Sequence, residues 1–75
     1  MKAYEEVVEF IAAGASPRDV VDFQPSAKVK QRVEDLIERE KTTGLSIEEK
    51  AELDRYFELE HLMRLAKAKA YSHLS

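Results

Sequence analysis

The chain has 75 residues, 36% of them charged and 44% hydrophobic, with a formal net charge of −3 and no cysteine. This length carries at most one small domain, disulfides and thiolate metal sites are excluded, and the surplus of acid argues against non-specific nucleic-acid binding. Two glycines, two prolines and no tryptophan, among abundant Glu, Lys, Ala and Leu, are the composition of a helical protein.

The start does not read as a secretory leader: Lys2 is followed by "AYEEVVEF", which carries acids throughout. No apolar run approaches the ~20 residues that span a bilayer. The expectation is a cytoplasmic protein without a membrane segment.

The first helix is predicted over "AYEEVVEFIAAG", where Tyr4, Val7, Val8 and Ile11 recur at helical spacing. Glu5 and Glu6 sit in its first turn, where the helix dipole favours negative charge. Gly14 suits the left-handed residue that closes a helix. A short second helix follows from "SPRDVVDF", with Ser16 as N-cap, Pro17 at the first helical position and Asp19 completing a capping box. Pro25 must end it, because the residue before a proline is pushed out of the helical region.

A third helix is predicted from Ser26 through "AKVKQRVEDLIEREK", with Val29, Val33, Leu36 and Ile37 on one stripe. Its charged remainder, Arg32 and Asp35 included, reads as a solvated face of mixed signs. Thr42, Thr43 and Gly44 close it. The fourth helix has the strongest start signal: in "SIEE", Ser46 is the N-cap and Glu49 its capping-box partner. Nothing breaks the chain from there to Leu74, about 29 residues and roughly 43 Å at 1.5 Å per residue. The fold class is therefore all-α, with three to four helices dominated by a long C-terminal one.

The apolar residues of that helix wrap widely. Tyr56, Leu59, Met63, Ala66, Ala70 and Leu74 approximate the seam of a coiled coil, and Leu53, Phe57, Ala68 and Tyr71 form a second side. Leu62 and Leu65 fall beyond the first stripe. A stripe about 100° wide is what an ordinary surface helix needs, and three short helices cover one side of such a rod. The excess points to a partner, most simply a second copy in a helical dimer. The interface residues predicted on this ground are Tyr56, Leu59, Leu62, Met63, Leu65, Ala66 and Ala70.

Polar clusters carry weaker signals. Glu58 and His61 have the Glu-x-x-His spacing of di-iron helical bundles, but His73 has no glutamate three residues before it, so a second such motif is missing. Ordinary helix-surface pairing, such as Glu60 with Arg64, is the simpler reading. No metal and no other cofactor is expected. Catalysis has no Gly-rich phosphate loop and no nucleophile–histidine arrangement to rest on, so the chain reads as a non-enzyme. A helix-turn-helix is the alternative: Ser26 caps a helix bearing Lys28, Lys30 and Arg32 where recognition helices meet base edges. Against it stand Glu34, Asp35, Glu38 and Glu40 on the same helix. Lys67 and Lys69 read as cations complementing the C-terminal dipole of the last helix.

Several short motifs together resemble a family of small helical bacterial proteins of unassigned function, frequent in cyanobacteria. They are Ser16–Pro17, then Phe23, Pro25 and Ser26, then Arg32, Val33 and Leu36, then Gly44–Leu45–Ser46 with Glu48 and Glu49, and the closing run from Leu53–Asp54 through Ala68. The similarity covers nearly the whole chain. Such proteins are often encoded beside a nuclease or PIN-type toxin gene. The resemblance thus implies an antitoxin-like role, exercised through contact with another protein, and brings no functional residues with it.

Overall fold

Helical segments account for most of the computed structural model, which describes residues 2–74. They are α1 (Glu5–Ala12), α2 (Pro17–Asp22), α3 (Ala27–Lys41) and α4 (Ile47–Leu74), and no strand occurs among the described residues. The predicted start signals are realised. Ser16 Oγ accepts from the Asp19 N–H and the Asp19 carboxylate accepts from the Ser16 N–H, each at 3.2 Å. Ser46 and Glu49 make the same reciprocal pair at 3.1 and 3.0 Å. Ser26 Oγ caps α3 through the Val29 N–H. Each cap satisfies a donor that the first helical turn leaves without an internal partner. Gly44, at φ +90°, lets its N–H reach back to the Arg39 carbonyl at 2.7 Å and turns the chain from α3 into α4.

The molecule measures 46 × 20 × 19 Å. Its long dimension is that of α4 itself, whose 28 residues span roughly 42 Å at 1.5 Å per residue. The other three helices lie against this rod. Ala3, Val29, Val33, Leu36, Leu53 and Tyr56 form the main core, with Tyr4, Ile37 and Leu45 packed around it. Burying side chains such as Leu36, Leu53 and Val29 contributes roughly 1.5–3 kcal/mol each. Further along, α2 packs closely on α4. Phe23 anchors this end: its ring stacks at 4.4 Å on Phe10 of α1, and its carbonyl accepts from Lys67 Nζ of α4 at 2.6 Å. Lys67 is thus a tertiary ligand for the end of α2, not merely a cation placed for the α4 dipole as the sequence suggests.

Arg32 departs from its expected place on a solvated face. It turns toward α4 and donates from Nε and Nη2 to the Glu52 carboxylate at 3.0 and 2.8 Å. Glu52 is only 3% exposed and also accepts from the Ala3 N–H at 2.8 Å. One buried carboxylate therefore ties the N-terminal segment, α3 and α4 together. Charge-assisted, two-point contacts are the strong kind of hydrogen bond. The Arg32 guanidinium, with the Ala3 amide, holds the Glu52 carboxyl below its ordinary value against the opposing effect of burial. A second link joins α1 to α3: Glu6 Oε1 accepts from the Ser26 N–H at 2.8 Å.

Candidate protein-interaction surface

Projected at 100° per residue, the buried positions of α4 (Glu52, Leu53, Tyr56, Met63 and Ala70) fall within a sector about 100° wide. That is the width one layer of short helices covers. The interface assignment made from the sequence divides accordingly. Tyr56, Met63 and Ala70 belong to the chain's own packing and are not available to a partner, which corrects that part of the assignment. Leu59 and Ala66 are half-buried at the edge of the packed sector. Leu62 and Leu65 remain outside it, 50% and 58% exposed in the middle of the helix. The coiled-coil-like seam read from the sequence is thus the seam on which the monomer folds, and the unfilled apolar surface lies round the helix from it.

The exposed surface continues onto α1. Ile11 and Val8 are exposed, and Ile11 lines one apolar depression of about 340 Å³ together with Phe10, Val20, Leu62 and Ala66. Around the helix from Leu62 lies a narrower cavity of about 130 Å³. Its wall includes Tyr56, Met63, Glu60 and Arg64. A space of that size is below what a small-molecule site of several hundred cubic ångströms requires. Burial raises the Tyr56 hydroxyl above its ordinary value, with Glu60 and Glu6 adding to the effect. The phenol at this wall is therefore neutral and unsuited to act as a base near neutral pH.

Glu58 and His61 both lie exposed on the outer part of α4. No group of three or more His, Cys, Asp or Glu is placed to hold a metal ion among the described residues. The residues of the helix-turn-helix alternative are also divided by the fold. Lys28 and Lys30 are exposed, but Arg32 is engaged by Glu52 and the Ser26 hydroxyl caps its own helix. Arg32 thus carries a structural contact that sequence reasoning did not indicate. Glu52 was the residue sequence reasoning missed. The signal was present: Glu52 and Arg32 each interrupt an apolar stripe, beside Leu53 and between Val29, Val33 and Leu36, with opposite charges.

No helix among the described residues is long and apolar enough to cross a membrane. No family model matches the chain, and no match is found among curated proteins or solved structures.

Proposed function

We propose that this chain is a non-catalytic protein–protein interaction module that works through the outward face of α4, with self-association into a dimer as its simplest form. The observation that carries this reading is the exposure of Leu62 and Leu65 in mid-helix, 50% and 58%, while the opposite side of the same helix is fully packed. Scattered exposed leucines are normal on a protein surface. Here, however, Leu62 lines an open apolar depression with exposed Ile11, and Leu65 follows it one helical turn on along the same face, so apolar surface is grouped there, as at interaction sites. A chain of 75 residues buries a small core, and association is one of the ordinary ways such a domain gains stability. The antitoxin-like role follows from the family resemblance alone. In that form the same face would hold a toxin chain.

The test is the doubly substituted chain Leu62→Glu with Leu65→Glu, studied by sedimentation and thermal unfolding. Association lost with monomer folding intact supports the reading. Loss of the fold itself, or a wild-type chain that is monomeric and binds no product of a neighbouring gene, refutes it.

A further inference from the structure

The outward face of α4 has its own pattern, and that pattern selects a geometry. Ala51, Arg55, Glu58, Leu62, Leu65, Lys69 and Ser72 recur at alternating steps of four and three residues. This is a helix face at heptad spacing, with a leucine pair at its centre and charged residues to either side, and it lies on the opposite side of the helix from the packed sector. Its members are exposed, and two leucines at its centre are flanked by an acid on one side and a base on the other. Glu58 and Lys69 are about 16 Å apart along the helix at 1.5 Å per residue, too far to pair with each other. Among the described residues neither side chain has an ion-pair partner, whereas Lys50 holds Glu40 and Asp54 at 2.9 and 3.1 Å, and Arg39 holds Glu49.

We infer that this seam pairs with the same seam of a second copy in antiparallel orientation, about a two-fold axis at the midpoint between Met63 and Arg64, so that Leu62 meets the partner's Leu65 and Glu58 meets the partner's Lys69. The inference rests on the interaction reading above and names its partner. Its basis is charge complementarity. A two-fold axis across the helix places each residue opposite the one equally far beyond the midpoint. Leu62 and Leu65 are each one and a half residues from it, and Glu58 and Lys69 are each five and a half. A single axis therefore matches the apolar pair and the charged pair at once, and it sets Arg55 against the uncharged Ser72. A parallel pairing of the same seam puts like against like: arginine on arginine at 55, glutamate on glutamate at 58 and lysine on lysine at 69. Like charges across a helix interface are the ordinary device against a wrong arrangement. The buried residues of α4 lie across the helix from the seam, and α1 and α2 flank the seam at Leu62, where Phe10, Ile11 and Val20 share a depression with it, so two copies approach along α4 without displacing their own cores.

The experiment is a charge-reversal cycle read by sedimentation equilibrium on the full chain. E58K alone and K69E alone each replace two attractive pairs by two repulsive ones, and each raises the dimer dissociation constant about tenfold. E58K combined with K69E restores the wild-type constant to within about threefold. A second measurement uses the absence of native cysteine: on oxidation, an equimolar mixture of E58C and K69C chains gives covalent dimers, and E58C by itself does not. A double reversal no better than the singles, or E58C cross-linking to itself, overturns the antiparallel register. If L62E with L65E still abolishes association in that case, the interaction face stands and only the geometry falls. A wild-type chain that stays monomeric at 100-micromolar-scale concentration and binds only a different protein overturns the second copy as the occupant and leaves the interaction reading intact.

Discussion

Arg32 and Glu52 meet between α3 and α4 in a two-point contact of 3.0 and 2.8 Å, with the carboxylate 3% exposed and the Ala3 N–H as its third donor. This contact joins the N-terminal segment, α3 and α4, and its residues lie in the chain beside members of the main apolar core, Val33 and Leu53. Removing one partner of such a pair costs more than the pair itself contributes, because the other is left buried and uncompensated. Arg32→Ala is therefore expected to lower the unfolding free energy by about 2–3 kcal/mol, the part of Arg32 that reaches solvent keeping the loss below that of a fully buried pair. Replacing both residues together, Arg32→Met with Glu52→Leu, recovers most of this loss. Urea unfolding of the wild type and the two variants measures it, and a double variant as unstable as the single contradicts the account.

Acid acts on the same contact. The Arg32 guanidinium and the Ala3 amide hold the Glu52 carboxyl below its ordinary value of 4.5. A carboxylate with a depressed folded pKa contributes stability that is whole above the unfolded value and is lost as pH falls through the folded one. The unfolding midpoint is thus expected to hold steady from neutrality down to the ordinary carboxylate range and to fall below it. Glu49 is depressed as well, first by the Ser46 amide and then by Arg39, and its loss runs in the same direction. Glu52→Gln removes part of the acid sensitivity while lowering stability at neutral pH. A pH profile of the variant parallel to that of the wild type would assign the sensitivity elsewhere.

Buried and exposed apolar residues of α4 respond differently to truncation. Leu53→Ala and Met63→Ala empty packed positions and are expected to cost about 2–5 kcal/mol each. That is a large share of the stability of so small a domain. Leu65→Ala, on the outward face, leaves monomer stability nearly unchanged and weakens association instead. Thermal unfolding at low protein concentration, beside sedimentation at high concentration, separates the two effects.

The turn between α3 and α4 tolerates little backbone change. Gly44 has φ +90° with open space where a side chain would go, so the obstacle to alanine is conformational and not steric crowding by neighbours. Gly44→Ala is expected to destabilise by about 1 kcal/mol, measured by urea unfolding. An equal or more stable variant would mean that the turn is free to adopt another form.

A nucleic-acid role can be probed without disturbing the fold through Lys28 and Lys30, which are exposed and hold no tertiary contact comparable to that of Arg32. Lys28→Glu with Lys30→Glu is expected to leave unfolding unchanged. Unchanged mobility of the chain's own promoter fragment in a gel shift, before and after this substitution, is the outcome the interaction reading requires. Arg32 is unsuited to the same test, because its loss also destabilises the fold and so imitates a loss of binding.

Local sequence alone determined the four helices and their limits. Ser16 with Asp19, Ser26, and Ser46 with Glu49 start helices through bonds made within three residues, and Gly14, Pro25 and Gly44 end them through backbone preference, so these signals need no tertiary contact to be read. The wide apolarity of α4 was legible too, as residues 53 to 74 read at 100° intervals. Only the packed structure decided how that apolar surface divides. Tyr56, Met63 and Ala70 go inward because α1, α2 and α3 reach just one sector of the rod, and Leu62 and Leu65 stay outside it. The partners of Arg32 and Lys67 were likewise settled by folding. Glu52 lies twenty residues from Arg32 and the Phe23 carbonyl forty-four from Lys67, distances over which helix periodicity holds no information and helix-on-helix packing sets which polar group meets which.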